Sequence, residues 1–348
     1  MRAGDGTGAG AGRAAGFGAG SGAGAIAVPV LTCGEPAGVG PEIAAKAWET
    51  LGARLPFAWL GDPGHLPPGV PVRDIAAPAE APHVASEGLP VIRHPFPAPA
   101  TPGAPAPENA AEVVAVIARA VRLAQGGAAG AVVTGPIHKK ALQDGAGFAH
   151  PGHTEYLAAL AGVERVVMML ACPELRVVPV TIHCALREVP DLLTPALLSD
   201  TIRITHAALR RDFGIAGPRI VVAGLNPHAG EGGAMGREEI EVIGPVVEAL
   251  RAEGLAVRGP LSADSMFHAD ARRSYDVAVA MYHDQALVPI KTVDFSGGVN
   301  VTLGLPFVRT SPDHGTAFDI AGQGRADPTS LIAALRMAAE MARARATG

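Results

Sequence analysis

Short apolar runs alternate with longer amphipathic segments along most of the chain. Apolar runs of about four to eight residues are typical of buried β-strands, whereas apolar positions that recur every third or fourth residue are typical of helices. The strand-like runs are AIAVPVLT (25–32), AVVTGP (131–136), RVVMMLA (165–171), VVPVTIH (177–183), RIVVAGL (219–225) and DVAVAMYH (276–283). One helix-like segment begins at Pro41, and the others cover 108–125, 194–213, 237–253 and 328–345. This alternation predicts an α/β protein with mainly parallel sheets, whose ligands bind beyond the carboxyl ends of the strands.

Two stretches interrupt the alternation. Residues 1–24 are almost entirely Gly and Ala and lack the compact apolar core of a secretory signal, so we predict a disordered extension there. Residues 67–107 are rich in proline, which favours connectors and edge strands over helices. No apolar run reaches the roughly 18 residues of a membrane span, so we predict no transmembrane helix and no membrane partner.

Composition narrows the class of protein further. The chain has 348 residues, of which 48% are hydrophobic, and this length predicts two domains. A net charge of -5 without basic runs argues against a nucleic-acid partner and favours a small ligand. The three cysteines, Cys33, Cys172 and Cys184, have no CxxC spacing, which argues against a disulfide framework or a cysteine zinc site and fits a reducing cytoplasm.

Ionisable residues are concentrated between Met281 and Asp327, among glycines and short apolar runs. This segment contains His283, Asp284, Lys291, Asn300, Arg309, Asp313, His314 and Asp319. Such a density of charged groups in an otherwise apolar protein predicts an active site.

Three histidines follow strand-like runs. They are His183 after VTI, His228 after LNP and His283 after AMY. Adjacent parallel strands would bring them together, and three imidazoles with an open position suit a catalytic divalent cation, although a single histidine of this kind is usually a hydrogen-bonded structural residue. Asp264 and Asp284 are candidates for supporting or acid/base carboxylates, with a helix cap or a turn as the alternative role.

A second group of residues suits an anion. His153 and Thr154 stand at the beginning of a predicted helix, where free backbone N–H groups favour phosphate, although Thr154 alone could be an N-cap. Lys291, Asn300 and Arg309 add two cations and an amide, and the alternative for the cations is ordinary surface ion pairing. Neither GxGxxG nor GxxxxGK[ST] occurs, so a Rossmann fingerprint and a P-loop are unsupported.

Long motifs throughout the chain after Ala25 resemble the 4-hydroxythreonine-4-phosphate dehydrogenase family of vitamin B6 biosynthesis. They are GEPAGVGPEI, TGPIHKKAL, PGHTEYLA, GLNPHAGEGGAMGREE, MYHDQALVPIK and GVNVTLGLPFVRTSPDHGTAFDIAG. The segment DHGTAFDIAGQGRADPTS is also similar to the adenosine-binding loop of isocitrate and isopropylmalate dehydrogenases, which bind NAD(P) without a Rossmann fingerprint. The resemblance implies a two-domain fold of that kind, with the active site in the interdomain cleft.

The resemblance also implies roles for individual residues. The metal ligands are His183, His228 and His283, around one divalent ion (Zn, Mg or Co), in a site completed across a homodimer interface. The substrate contacts are His153, Thr154, Lys291, Asn300 and Arg309. The NAD or NADP loop is His314, Gly315, Thr316 and Ala317, shaped by Asp319 and Gly322. Family members often have histidine where this chain has Ala234, which puts only a secondary contact in doubt.

The implied reaction is oxidation of 4-phosphohydroxy-L-threonine to 2-amino-3-oxo-4-(phosphonooxy)butanoate, which decarboxylates to 3-amino-2-oxopropyl phosphate in pyridoxal phosphate biosynthesis. The metal would acidify the substrate hydroxyl while a base removes its proton and hydride passes to the nicotinamide. The candidates for the catalytic base are Lys291, Asp264 and Asp284.

Other readings of the same motifs remain open. Related enzymes would act on 4-phospho-D-threonate or erythronate, or on a dihydrodiol carboxylate, and the related phosphate acetyltransferase fold allows an acyl-transfer or phosphate-binding protein. We expect a discontinuous first domain at 25–150 and 305–348, and a second domain at 151–304 that binds metal and dimerises.

Overall fold

The computed structural model describes residues 28–347, so the extension predicted at 1–24 lies outside the described residues. Within them, one mixed sheet of 12 strands has the order β3-β4-β2-β1-β5-β12-β11-β6-β7-β10-β8-β9. The strands are β1 Pro29–Thr32, β2 Ala58–Gly61, β3 Val72–Asp74, β4 Leu89–Arg93, β5 Ala131–Thr134, β6 Val167–Cys172, β7 Leu175–Pro179, β8 Ile220–Ala223, β9 Val257–Leu261, β10 Val277–Ala280, β11 Val299–Leu303 and β12 Val308–Pro312.

Helices follow most of these strands, as the alternating pattern predicts. They are α1 Gly40–Leu51, α2 Ala81–Val84, α3 Ala110–Gln125, α4 Lys139–Ala146, α5 His153–Ala161, α6 Val189–Leu192, α7 Pro195–Phe213, α8 Gly244–Ala252, α9 Ala269–Arg272, α10 His283–Val293 and α11 Thr329–Thr347. The predicted helix at 237–253 begins as a π-helical turn, Glu239–Ile243, that leads directly into α8. The proline-rich stretch contains the edge strand β3, the inner strand β4 and the short helix α2, and no long helix.

The predicted α/β class with a mainly parallel sheet is confirmed, because eight of the eleven strand pairings are parallel. The three antiparallel pairings involve β6, β7, β11 and β12 near the middle of the sheet. Short links explain two of them, since β6 and β7 are separated by two residues and β11 and β12 by four, too few for a parallel crossover.

The carboxyl-terminal part of the chain returns to the first strands. β12 lies between β5 and β11, and α11 packs against β12, β5 and α7. The main apolar cluster includes buried residues from both predicted domains, for example Val132 and Val279. The centre of the sheet, at β5, β12 and β11, therefore joins the two halves, and the domain boundaries stay a prediction.

No helix in the described range 28–347 is long and apolar enough to cross a membrane.

Candidate active site

The three predicted metal-binding histidines follow adjacent parallel strands. β10 pairs with β7 on one side and with β8 on the other, both in parallel. His183 lies four residues beyond β7, His228 five residues beyond β8, and His283 is the first residue of α10 after β10. The carboxyl ends of adjacent parallel strands share one edge of the sheet, and this is where ligands bind in such folds.

His183 and His283 are the two closest members of this set, with ring centroids 5.8 Å apart. His283 Nδ1 lies 2.7 Å from Asp284 Oδ1, which leaves Nε2 of the same ring for another partner. Both rings line a cavity of about 300 Å³ bounded by residues 181–189 and by Tyr282–Asp284. A carboxylate on one imidazole nitrogen is the usual support for a histidine that binds metal through the other, so this pair fits a divalent cation.

His228 lies in a strained loop, Pro227–Gly233. Its φ is 52°, and that of His183 is 51°, in the left-handed region that residues other than glycine rarely adopt. Strain of this kind costs about 1–3 kcal/mol per residue and concentrates at functional sites. Among the residues that the structure describes, no three His, Cys, Asp or Glu side chains are arranged to hold a metal ion, so one chain brings His183 and His283 together but does not add His228 to them.

A buried arginine at the centre of the sheet has no acidic partner among residues 28–347. Arg309 on β12 is 3% exposed, and its two terminal nitrogens donate to Thr302 Oγ1 (2.9 Å) and Thr134 Oγ1 (2.6 Å). Its Nε has no hydrogen-bond partner, and burial lowers the pKa of the guanidinium to about 10. A buried cation without a carboxylate is costly, and an anionic ligand would offset that cost.

The beginning of α5 lies near this arginine. Gly152 is the N-cap, so Thr154 is not, and no side chain caps the free N–H groups. His153 Nε2 is buried without a partner, and burial together with the positive charges of Arg309 and Lys139 holds the pKa of this imidazole well below its usual value. Asn300 Oδ1 on β11 is likewise buried without a partner. Donors for an anion and unpartnered polar atoms therefore occur together among the predicted substrate contacts.

Lys291 is in an ion pair. Its Nζ lies 2.7 Å from Asp313 Oδ2, and it also lies 5.5 Å from the centre of the Phe295 ring. An ammonium bonded to a carboxylate has no free lone pair with which to accept a proton. Lys291 therefore forms an ion pair, as the alternative role suggested. The pair is only partly exposed, however, and Asp313 immediately precedes the predicted cofactor loop.

The other two acid/base candidates are both exposed. Asp284 supports His283 as described, and Asp264 accepts a hydrogen bond from Ser262 Oγ at 2.7 Å. The turn that contains Asp264 contacts the loop of His228, but Asp264 does not line the cavity beside His183.

The predicted cofactor loop packs on the glycine-rich turn that precedes α1. The N–H of Val39 donates to Thr316 O at 3.0 Å, and a Cβ at Gly38 would lie 2.9 Å from the same oxygen. Ala317 has a φ of 43°, and a Cβ at Gly315 would meet nothing within 4 Å. The open space at Gly315 and the strained backbone at Ala317 fit a loop whose main chain closely approaches a ligand.

Gly38→Ala should therefore displace this loop. The new Cβ meets the carbonyl oxygen and the Cβ of Thr316, which cannot rotate away, so we expect the KM for the nicotinamide cofactor to rise by roughly ten-fold, the equivalent of about 1.4 kcal/mol. Initial rates at varied cofactor concentration measure this. Gly217→Ala is the matched control, because a Cβ there meets nothing within 4 Å. Equal KM values for the two variants would contradict the close packing.

Glu35 is a buried carboxyl that the sequence did not single out. It is 4% exposed and lies in the glycine-rich turn before α1, on which the predicted cofactor loop packs. Its Oε1 accepts a hydrogen bond from the N–H of Ala37 at 3.1 Å. Burial raises the pKa of Glu35, although the Ala37 hydrogen bond and the nearby His138 oppose this shift. Burial of an acidic residue leaves no pattern of its own in a sequence, so this position could not have been found from the motif alone.

The raised pKa of Glu35 gives a pH-dependent prediction. Because the folded state holds the proton more tightly than the unfolded state, the carboxyl's contribution to stability is present at low pH and lost as pH rises through the raised pKa. Glu35→Gln removes this loss, so its melting temperature relative to wild type should be higher at pH 8 than at pH 5. A difference in melting temperature that is the same at both pH values would contradict the assignment.

Together the mainly parallel sheet, the buried arginine without a carboxylate and the loop on the glycine-rich turn are features of an α/β enzyme whose site suits an anionic ligand. Residues 59–338 match the family described as pyridoxal phosphate biosynthetic protein PdxA. The chain belongs to this family, as its motifs predicted.

Individual relatives agree with this assignment. The chain is 64% identical over 314 residues to 4-hydroxythreonine-4-phosphate dehydrogenase of Roseobacter denitrificans, covering 90% of this chain and 96% of the relative. The crystal structure of the enzyme of that name from Klebsiella pneumoniae superposes with a TM-score of 0.83 at 39% identity, over 90% and 99% of the two chains. A terephthalate 1,2-cis-dihydrodiol dehydrogenase from Burkholderia xenovorans is more distant, with a TM-score of 0.64 and 29% identity over 90% and 97%.

Proposed function

We propose that this protein oxidises 4-phosphohydroxy-L-threonine with NAD or NADP to 2-amino-3-oxo-4-(phosphonooxy)butanoate, which decarboxylates to 3-amino-2-oxopropyl phosphate. One observation carries the proposal. Among the described residues, six buried side-chain nitrogen or oxygen atoms have no hydrogen-bond partner, and three of them belong to His153, Asn300 and Arg309. Unsatisfied buried polar atoms are costly, so their concentration in the predicted substrate contacts supports a polar, anionic ligand there.

The substrate phosphate would bind at the N-terminus of α5, with Arg309 as its buried cation. Thr134 and Thr302 fix the guanidinium at the centre of the sheet, so its free Nε needs no rearrangement to donate. Neutral His153 contributes a hydrogen bond without adding charge, and Asn300 Oδ1 offers an acceptor for the substrate's amino group. Lys291, held by Asp313, serves this site as a donor to the substrate rather than as the base.

His183, His228 and His283 would hold a divalent cation, which supplies acidification of the substrate hydroxyl and stabilises negative charge during decarboxylation. Asp284 would keep the His283 ring oriented, as the 2.7 Å hydrogen bond indicates. His314–Ala317 would hold the nicotinamide cofactor, which would supply a hydride acceptor, and a base of this chain would take the hydroxyl proton. Asp264 is our candidate for that base, because Asp284 is engaged by His283 and Lys291 by Asp313.

A homodimer would complete the metal site. The exposed large apolar side chains of the described residues occur in pairs that follow the three histidines: Leu186 and Leu192, Met235 and Ile240, Val288 and Phe295. We call these six residues the apolar rim. Phe295 is 77% exposed and Leu186 67%, and exposed apolar side chains of this size are typical of a protein interface. A second copy of the chain on this rim would also supply the ligand that one chain does not bring to the other two.

Charge on the apolar rim should separate the dimer. Leu186→Glu combined with Phe295→Glu is expected to give a folded monomer in sedimentation analysis, with kcat/KM reduced roughly 100-fold because the metal site is incomplete. Exposed positions tolerate charge, so the melting temperature of the monomer should stay high enough to measure. A fully active monomer would contradict a site shared between subunits.

Substrate selectivity tests the proposal against its rivals. Purified enzyme with cofactor and divalent cation should reduce nicotinamide with 4-phosphohydroxy-L-threonine, and at most weakly with 4-phospho-D-threonate, with 4-phospho-D-erythronate or with a dihydrodiol carboxylate. Turnover of a sugar-acid phosphate alone would move the protein to that branch of the superfamily. Tight phosphate binding without change at the nicotinamide absorbance band would favour the binding or acyl-transfer readings.

A further inference from the structure

Two adjacent lysines begin α4, and only one of them has an acidic partner. Lys140 Nζ lies 2.7 Å from Asp144 one turn along the helix. Lys139 has no carboxylate oxygen within 4.0 Å in the described part of the chain, residues 28–347. A cation in the first turn opposes the helix dipole, so Lys139 does not stabilise α4. Helix stability therefore gives no reason for a lysine at this position.

The position of Lys139 relative to α5 suggests another role. A Cβ on Gly152, the N-cap of α5, would lie 3.3 Å from Lys139 Cε and 3.5 Å from its Nζ. The ammonium is therefore beside the uncapped N-terminus of α5 and next to His153, whose pKa is lowered by burial, by Arg309 and by Lys139 itself. Glu155 Oε2 approaches the same Cβ position to 3.3 Å but lies beyond ion-pair distance of Lys139.

The charges around this helix terminus leave two cations unpaired. Lys291 is matched by Asp313, and His153 is neutral. Within the described part of the chain, neither Arg309 nor Lys139 is bonded to a carboxylate. A phosphate monoester has a charge of about -1.5 to -2 at neutral pH, so these two cations complement it, while the Glu155 carboxylate, which also lies near Gly152, opposes it.

We propose that Lys139 is a phosphate-binding residue that makes this site specific for phosphorylated substrates. The segment from Thr134 to Lys139 places both cations, because Thr134 Oγ1 accepts the bond from Arg309 and Lys139 begins the next helix. This inference rests on the proposed function, whose phosphate subsite it completes.

The test compares Lys139→Met with Lys140→Met, because both lysines are exposed and only Lys140 is ion-paired. For Lys139→Met, the KM for 4-phosphohydroxy-L-threonine and the inhibition constant of inorganic phosphate should both rise roughly ten-fold, with kcat changed less than about two-fold. Lys139→Arg should restore most of the affinity. Lys140→Met should match wild type, and the melting temperature of Lys139→Met should not fall, because a cation is removed from a helix N-terminus.

Glu155→Gln distinguishes phosphate binding from a simple ion pair. If Lys139 binds phosphate, Glu155→Gln strengthens phosphate binding or leaves it unchanged. If Lys139 instead pairs with Glu155, Glu155→Gln and Lys139→Met weaken phosphate binding equally, and this result overturns the inference. Equal phosphate constants for Lys139→Met and Lys140→Met overturn it as well. Calorimetric titration with inorganic phosphate keeps the two proposals separate: a protein that binds phosphate through Lys139 but does not oxidise the substrate contradicts the proposed function alone.

Discussion

Replacing His228 by alanine is expected to abolish turnover and metal retention together. His228 is held at a φ of 52° in a loop next to the strand ends of His183 and His283, and removing one of the three proposed ligands would leave a divalent ion without a stable site. We expect kcat/KM to fall by at least about 10³-fold and bound metal to fall from roughly one ion per chain to a trace. Elemental analysis of the dialysed protein measures the bound metal, and initial rates in excess cation measure kcat/KM.

The fold should survive this substitution. Alanine can adopt this φ, since the adjacent Ala229 already has a φ of 51°. His83→Ala, at an exposed position on the short helix α2, is the matched control and should retain metal and rate. A His228→Ala protein with normal metal content and normal rate would refute the metal assignment.

Arg309→Met should weaken substrate binding without lowering the stability of the fold. The arginine is 3% exposed with no carboxylate partner, so methionine removes a desolvated charge while filling a similar volume. We expect the melting temperature to be kept or raised, while kcat/KM for the phosphorylated substrate falls about 10²- to 10³-fold. Loss of function with gain of stability is the signature of a residue retained for its ligand.

A second arginine provides the matched control. Arg176 on β7 also has a buried Nε without a partner, but it packs 5.1 Å from the Phe213 ring and donates to the carbonyl of Asp276. Arg176→Met should therefore leave kcat/KM unchanged. Arg309→Met with a wild-type KM, or an equal loss with a substrate analogue that lacks phosphate, would contradict phosphate binding by Arg309.

Much of the fold could be predicted because the spacing of apolar residues along the chain follows which side chains are buried. The apolar runs at 131–136 and 219–225 contain buried strands, and the helical patterns at 108–125 and 194–213 correspond to α3 and α7. Four strands were not predicted from periodicity, namely β2, β9, β11 and β12. Polar residues such as Asn300 and Arg309 interrupt the apolar pattern of the last two.

The residues of the candidate site were predicted from motifs, but the contacts between their side chains were not. The histidines at strand ends were recognised because parallel strands share an edge, and β7, β10 and β8 are indeed adjacent. The partner of Lys291 was not foreseen, because Asp313 is 22 positions away and reaches it only through the return of β12. Lys139 was missed for a similar reason, since its nearness to Gly152 depends on how α4 and α5 pack.

The most direct test of the account is NADH formation by metal-stripped protein given 4-phosphohydroxy-L-threonine and NAD, before and after a divalent cation is restored. We predict no formation in the stripped protein, recovery on addition of the cation, and release of carbon dioxide in step with NADH. NADH formation that is equally fast without the cation would contradict the metal site formed by the three histidines. Failure of the restored enzyme with both NAD and NADP would contradict the proposed oxidation itself.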